Sequence, residues 1–461
     1  MIRKGGIMGY RIEHDTMGEV KVLDEHFWGA QTQRSLENFC IGTETIPMEV
    51  IHSFAILKSA AATANNKLGK LNSDKAEAIA EACRDIIEDK YPDEFPLKVW
   101  QTGSGTQSNM NLNEVVSHIV KKNHPEIDIH PNDHVNMSQS SNDTFPTAMN
   151  MAAVIMIHEK LMPAIDKLIE TMKRLEDENY EVIKIGRTHL QDAVPLRFSQ
   201  EISGWRGMLE ESKAQIIEAS NHLRKIAIGG TAVGTGLNCP AGFDKLCCEE
   251  ITKLAKEQFE PSDNKFHALT SKDGYVYTSG ALKGLAANLM KIANDVRWLA
   301  NGPRCGLGEI TIPENEPGSS IMPGKVNPTQ CEAITMIAVQ VMGNDATIGM
   351  GASQGNFELN VFMPVLAYNM IQSIRLLSDG INSFNKNCVA GIKAKREKME
   401  ANLYNSLMLV TCLSPVIGYE NAAACAHKAY EEDKTLKEAV LELGFMADAE
   451  YDEAVRPEKM V

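Results

Sequence analysis

The stretch that organises the chain reads Pro317-Gly318-Ser319-Ser320-Ile321-Met322-Pro323-Gly324-Lys325-Val326-Asn327-Pro328-Thr329-Gln330-Cys331-Glu332. The prolines and glycines of its first half exclude regular structure and favour a shaped loop. Its second half predicts a helix start, with Asn327 as the N-cap, Pro328 at the first helical position and Gln330 at the third, as in a capping box. Ser319, Ser320 and Lys325 would then lie beside the free N–H groups of the helix start, which is a common binding site for a carboxylate or phosphate.

An ordinary solvated loop is the simplest alternative for this stretch. Residues 318–327, however, resemble the GSSxMPxKxN signature of the fumarase/aspartase superfamily of lyases, and a motif of that length has a low false-positive risk. Gly324, and Thr329-Gln330-Cys331 after Asn327-Pro328, look more like a class II fumarase than an aspartate ammonia-lyase.

The composition is that of a globular protein, because 43% of the 461 residues are hydrophobic and 23% are charged. No apolar run approaches the roughly 20 residues needed to span a bilayer. The formal net charge of −15 argues against nucleic acid or an anionic membrane as partner. Ten cysteines without CxxC or metal-ligand spacing indicate reduced thiols. Residues 1–8 are too short and glycine-broken for a signal peptide, so we expect a cytoplasmic protein.

Three more polar segments, 101–111, 138–144 and 186–195, precede predicted helices. Their hydroxyls and amides suit helix N-termini, where small anions bind. Each segment also has a non-functional interpretation. The first could be a flexible linker, and a single histidine such as His189 is more often structural than catalytic. The segment 130–133 could be a turn, and two potential ligands are poor support for a metal site.

Apolar periodicity predicts helices at about 49–68 and 73–88, with Ser73 as a plausible cap of the second. Long stripes follow at 161–175, with a kink expected at Pro163, and at 278–301. We therefore expect a mainly all-α fold with a central elongated helix bundle. The predicted domains are an N-terminal, mostly helical domain 1–141, a bundle 142–357 and a small helical domain 358–461. In the last, Thr435 and Glu438 form a capping box and Gly444 ends the helix.

The glycine-rich run 229–236 invites a dinucleotide-binding interpretation. No β-rich stretch precedes it, and the glycine order of the Rossmann fingerprint is absent. We interpret it as a tight loop at the end of the bundle.

The resemblance extends from Trp28 to Pro457 and implies a fold, a reaction and a partner. The fold has three domains, with a twenty-helix core shared in a homotetramer, and each site combines segments from three subunits. The reaction is the reversible anti addition of water to fumarate, which gives (S)-malate through an aci-carboxylate. The substrate is thus a small dicarboxylate, and no metal or organic cofactor is implied.

Carried over onto this sequence, the resemblance implies roles for individual residues. Ser319 matches the base, and His189, with Glu332 as its carboxylate partner, would handle the water or hydroxyl. Lys325 matches a catalytic position that holds the developing carboxylate. The implied substrate-binding residues are Ser104, Gly105, Thr106, Ser140, Ser141, Asn142, Thr188, Ser320, Val326 and Asn327. The implied secondary anion site is His130, Pro131, Asn132 and Asp133.

One position departs from the family pattern. Met137 stands where the family usually has a lysine before Ser-Gln-Ser-Ser-Asn-Asp, and this removes a positive charge near the expected site. Three other functions compete with fumarate hydration: an aspartate ammonia-lyase, a catalytically silent homologue and a nucleotide-binding module. The second predicts loss of Ser319, His189 or Lys325, and all three are present.

Overall fold

The computed structural model describes residues 9–461, which are mainly helical as predicted. The helices are α1 (Ala30–Asn38), α2 (Met48–Lys67), α3 (Ser73–Ile87), α4 (Thr106–Asn123), α5 (Ser141–Met156), α6 (Met162–Glu178), α7 (Phe198–Asn221), α8 (Phe243–Ala255), α9 (Lys265–Thr270), α10 (Asp273–Ala300), α11 (Thr329–Ala352), α12 (Met363–Asn387), α13 (Arg396–Asn405), α14 (Ser414–Ile417), α15 (Tyr419–Glu431), α16 (Leu436–Glu442) and α17 (Asp448–Ala454).

The strands are short and pair two by two: β1 (Tyr10–Asp15) with β2 (Gly18–Leu23), β3 (Ile183–Thr188) with β4 (Gln191–Arg197), β5 (Lys225–Ile226) with β6 (Glu260–Pro261), β7 (Ile310–Thr311) with β10 (Lys393–Ala394), and β8 (Gly355–Asn356) with β9 (Leu359–Asn360). Of these pairs, only β5–β6 is parallel among the described residues.

The described chain forms two compact units. The first comprises 9–163, 213–284 and 339–378, and the second comprises 164–212, 285–338 and 379–461. The long helices α7, α10, α11 and α12 contribute residues to both units.

Helix α2 is the centre of the first unit. It packs against α3, α5 and α8, and even its lysine, Lys58, is buried. The ring of Phe54 meets that of Phe145 edge-on, with ring centroids 5.6 Å apart. Helix α3 buries Ile79 and Ile86 as its periodicity predicted, but Asn72 rather than Ser73 occupies its N-cap.

In the second unit a small apolar cluster holds the C-terminal helices together. Leu409, Leu413 and Val440 are buried in it. The predicted capping box of Thr435 and Glu438 begins α16, and Gly444, at φ +70°, follows its end. Both predictions are confirmed. Each depends on residues that are close together in sequence, so no distant part of the chain is needed to satisfy it.

The structure adds detail to one sequence-based expectation and corrects another. The irregularity expected at Pro163 is a π-helical turn, Ile157–Leu161, which ends one residue before α6 begins. Proline has no N–H and crowds the preceding turn, and a π turn accommodates both effects. The polar segment at 186–195 does not lead directly into a helix, because it forms most of the β3–β4 hairpin before α7.

Within residues 9–461, no helix is long and apolar enough to cross a membrane. Over the same residues, no group of three or more His, Cys, Asp or Glu side chains is arranged to hold a metal ion. All ten cysteines are free, and six of them are buried.

We expect Phe54→Ala to lower the free energy of unfolding by about 3–5 kcal/mol, since it leaves a cavity beside Phe145 in a closely packed core. Urea denaturation followed by circular dichroism measures this change. Tyr419→Ala is the control, because that ring is 81% exposed and its removal leaves no cavity. Equal unfolding midpoints for the two variants would contradict the assignment of α2 as the core of the unit.

Candidate active site

The loop 317–327, here called the serine loop, closes on itself through two hydrogen bonds. The N–H of Gly318 donates to the carbonyl of Lys325 (2.9 Å), and the Asn327 amide donates to the carbonyl of Gly318 (2.6 Å). A Cβ at residue 318 would lie 2.4 Å from the Lys325 oxygen, so the close approach requires glycine. Gly324, at φ +81°, makes the turn between the two ends.

This closed loop directs two backbone donors at Ser319. Its Oγ accepts hydrogen bonds from the N–H of Ile321 (3.3 Å) and of Met322 (3.1 Å). Donors of this kind stabilise negative charge on an oxygen and so favour its deprotonated form. The arrangement makes Ser319 chemically different from a solvated serine.

The serine loop borders a cavity of about 850 Å³ in the second unit. Lys325, Asn327 and Glu332 line it, together with Arg297 from α10. Within residues 9–461, the exposed Lys325 ammonium makes no hydrogen bond or ion pair. The lining therefore offers a free ammonium beside a carboxylate and an amide.

The helix after the loop begins differently from the prediction. Helix α11 begins at Thr329, whose hydroxyl donates to Glu316, while the Asn327 side chain turns back to Gly318. Gln330 accepts a hydrogen bond from Ser383 (2.7 Å) and takes no part in a capping box. Tertiary partners thus replaced the local caps that the sequence pattern indicated.

His189 lies at the tip of the β3–β4 hairpin. It and Leu190 form the two-residue turn, with φ of +56° and +60°, as a type I′ turn requires. Both side chains, and that of Thr188, are exposed. The imidazole is thus exposed at the end of a hydrogen-bonded hairpin.

Strand β3 of this hairpin is held by a buried carboxylate, Glu309. Arg187 binds it with both terminal nitrogens (3.1 and 2.6 Å), Lys184 Nζ lies 3.4 Å away, and Asn402 donates at 2.9 Å. Burial alone would raise the pKa of the Glu309 carboxyl, but the bonds from Arg187 and the charge of Lys184 outweigh it and lower that pKa. The ionised cluster fixes strand β3, which leads into the turn that contains His189.

In the first unit, two glycines shape the segment before α4. A Cβ at Gly105, which has φ +75°, would lie 2.0 Å from the Phe145 ring. A Cβ at Gly103 would overlap the carbonyl oxygen of Val361. Ser104 lies between the two glycines and Thr106 follows the second, and their hydroxyl oxygens are 2.9 Å apart. Only glycines permit this approach, so they hold both hydroxyls at the helix start.

The segment 140–143 begins α5 with a capping box of Ser140 and Asp143. The Asp143 carboxylate is fully buried and also accepts the N–H of Gly229 (3.1 Å) and of Thr231 (2.9 Å). Burial raises the pKa of Asp143 to about 6, although these N–H groups oppose the rise. The run 229–236 is therefore a tight loop, as interpreted from sequence, and it binds a carboxylate of the chain itself.

The residues of the expected secondary anion site form a compact turn. Pro131–Val135 forms a π-helical turn, and His130 Nδ1 accepts the N–H of Asp133 (3.2 Å). The His130 imidazole also lies 3.3 Å from the Asp133 carboxylate, and both side chains are exposed. The four residues form one compact turn whose imidazole already has an acidic neighbour.

The structure assigns the expected site residues to both units. The second unit holds Ser319, His189, Lys325, Glu332, Thr188, Ser320, Val326 and Asn327, and the first holds Ser104, Gly105, Thr106, Ser140, Ser141, Asn142 and residues 130–133. In the described part of the chain no hydrogen bond joins His189 to Glu332. Sequence reasoning missed Glu309 and Lys58, because the partners that identify them are remote in sequence.

Comparison with known proteins agrees with the fold and the motifs. A lyase family model matches residues 18–343, and a model of the fumarase C C-terminus matches residues 409–461. The chain is 62% identical over 458 residues to the class II fumarate hydratase of Bacillus subtilis and 59% identical over 459 residues to that of Helicobacter pylori, with 98% of this chain and 99% of each relative covered. A crystal structure of class II fumarase from Schistosoma mansoni superimposes with a TM-score of 0.96 at 43% identity, covering 98% of this chain and 99% of that one.

The fold and these matches define a lyase. Within that family the chain belongs to the class II fumarate hydratases.

We expect Glu309→Gln to lower the free energy of unfolding by about 3–5 kcal/mol, because Arg187 loses the charge that compensates it and Lys184 retains only Glu201, 3.2 Å away. Chemical denaturation measures the loss, and Glu432→Gln is the control, since that carboxylate pairs with Lys428 at the surface and contributes little. An equal effect of both substitutions would show that Glu309 does not anchor the hairpin.

Proposed function

We propose that the chain hydrates fumarate to (S)-malate, reversibly and by anti addition of water, at a site that contains the serine loop and His189. The observation that carries this proposal is the pair of N–H donors on Ser319 Oγ, in the same loop as the free ammonium of Lys325. A cytoplasmic location is part of the proposal, in keeping with ten unpaired cysteines.

The chemical difficulty lies in removing a proton from the carbon next to a carboxylate. The resulting aci-carboxylate carries two negative charges on one group, so fixed positive charge and N–H donors must already be in place. Lys325, Asn327 and Ser320 belong to the loop that supplies them. Because the loop is closed by its own hydrogen bonds, these groups need little reorganisation as charge develops.

Ser319 acts as the base in this proposal. A free serine hydroxyl is far too weakly acidic to be ionised near neutral pH, and the N–H groups of Ile321 and Met322 lower the cost of its alkoxide. His189 handles the proton of the attacking water or of the leaving hydroxyl, with Glu332 as its partner.

A second copy of the chain is needed to complete this site. Helix α11 has one buried apolar stripe and a second, exposed stripe whose members recur at alternating intervals of four and three residues. The exposed stripe consists of Glu332, Met336, Val339, Gly343, Ala346 and Met350. Met336, Val339 and Met350 are 67%, 61% and 72% exposed, which is unfavourable for apolar side chains on one helix face. This is the spacing of a helix that packs against another helix.

Glu332 is the first residue of that stripe, so it lies where a second copy would pack. A histidine supplied by another copy can then reach it, although His189 of the same chain makes no such bond. We therefore propose a homotetramer with a shared core of twenty helices and sites built from three subunits. The three domains 1–141, 142–357 and 358–461 belong to the same proposal.

The first test is the absorbance of fumarate after purified protein is added to L-malate with no metal or cofactor, beside a parallel sample of L-aspartate. We expect fumarate from malate alone, and a loss of at least about 100-fold in kcat for Ser319→Ala and His189→Asn, the usual size of a lost acid or base. Ser353→Ala and His427→Asn are exposed controls that should retain activity. Turnover of aspartate alone would indicate an ammonia-lyase.

The second test asks whether different copies build one site. His189→Asn and Lys325→Met chains, each inactive alone, should recover activity in about a quarter of the sites when they are co-expressed, because mixed assemblies contain sites with both native residues. Ser319→Ala with Lys325→Met is the matched control, since both substitutions fall in one loop and no mixed site escapes them. Light scattering gives the mass of the assembly, and failure of the first pair in a stable tetramer would refute a shared site.

A further inference from the structure

Lys58, on the central helix α2, is a fully buried cation that the expected site residues do not include. Its side chain is 0% exposed, and Nζ donates to the side-chain oxygens of Asn136 (2.9 Å) and Gln139 (3.0 Å). Burying an ammonium is costly unless it is well compensated. A lysine in this place therefore needs an explanation beyond packing.

The two acceptors of Lys58 flank the turn that leads into α5. Asn136 Oδ1 also accepts from the amides of Asn109 (3.1 Å) and Asn113 (3.3 Å) on α4. The Asn109 amide in turn lies 3.2 Å from the hydroxyl of Ser141. One chain of hydrogen bonds thus runs from the ammonium through Asn136 and Asn109 to a proposed substrate contact.

The same helix holds this turn at a second point. Asn65, two turns after Lys58, donates to the carbonyl of Met137 (3.1 Å) and accepts from the hydroxyl of Ser138 (2.7 Å). Ser138 has φ +66°, a conformation unfavourable for a residue with a side chain, so its surroundings must impose it. Both α2 contacts therefore fix the backbone immediately before Ser140.

We propose that Lys58 is a positioning residue for fumarate hydration, which holds the 136–139 turn and the Asn109 amide so that Ser140, Ser141 and Asn142 meet the substrate carboxylate in a fixed geometry. This inference rests on the proposed role of those three residues as substrate contacts. When it is protonated, Lys58 also places a positive charge behind the turn, where Met137 carries none, and the Asp143 carboxylate partly offsets that charge.

The ionisation of Lys58 depends on its buried neighbours. Burial lowers the pKa of its ammonium to about 7, and the Asp143 carboxylate on α5 acts in the opposite direction. The thiols of Cys83 on α3 and Cys247 on α8 complete the titratable groups that act on it. Arginine at this position stays charged at every accessible pH, which makes it the informative conservative replacement.

A second buried lysine provides a matched control. Lys272 is 5% exposed, and its ammonium donates to the carbonyls of Ala268 (2.9 Å), Leu269 (3.1 Å) and Ser271 (2.9 Å). None of these acceptors belongs to the proposed site. Removing its charge therefore reproduces the structural cost of losing a buried ammonium without disturbing residues 136–142.

The experiment compares Lys58→Met, Lys58→Arg and Lys272→Met as full-length proteins, with kcat and KM measured for malate and fumarate per folded enzyme. We expect kcat/KM of Lys58→Met to fall by about 10- to 100-fold, with a raised KM, the scale of loss when reacting groups are misplaced by an ångström. Lys58→Arg should recover most of this loss. Lys272→Met should lower the unfolding midpoint and leave kcat/KM unchanged.

The inference is overturned if Lys58→Met behaves like Lys272→Met, with a lower unfolding midpoint and an unchanged kcat/KM. Lys58 would then be a structural residue. Should that variant not fold, Gln139→Met removes one acceptor and keeps the lysine, and an unchanged kcat/KM would overturn the inference equally. Ser141→Ala and Asn142→Ala separate the two levels of the argument. If both variants are fully active, Ser141 and Asn142 are not substrate contacts, and the inference fails with them. If both variants lose activity while Lys58→Met remains active, only the inference about Lys58 is refuted.

Discussion

Each unit fixes its polar loops with a buried carboxylate, and a buried charge is tolerable only when its partners surround it in good geometry. Asp143 gathers backbone N–H groups from its own helix start and from the loop at Gly229 and Thr231. Glu309 binds Arg187 and Lys184 of strand β3, which leads to the hairpin turn at His189. Because these charges cannot move without losing their compensation, the loops tied to them are rigid.

Rigidity of this kind suits a reaction whose barrier is mainly electrostatic. A dianionic intermediate is stabilised by donors that are already oriented, and the serine loop, the hairpin tip and the starts of α4 and α5 each present such donors. The exposed stripe of α11 adds the second requirement, because it connects the proposed site at Glu332 to association between copies. Assembly and catalysis would then depend on the same helix.

Local signals predicted the local structure well. The bounds of α2 and α3, the capping box at Thr435 and the break at Gly444 follow from neighbours in sequence, which the unfolded chain already contains. The failures share one cause, which is competition from partners outside the neighbouring helical turn. Asn327 turned to Gly318 and Gln330 to Ser383, and residues expected to form a turn before a helix paired as the strands β3 and β4.

The sequence by itself determined the mainly helical class, the family and the residue types of the proposed site, because long motifs and helical periodicity are properties of adjacent residues. Tertiary structure alone decided that Ser319 receives two N–H bonds, that His189 lies at a hairpin tip and that Lys58 supports the turn before Ser140. These features join residues far apart along the chain or depend on exact backbone angles. Their energies come from burial and from hydrogen-bond geometry, which exist only once the chain has folded.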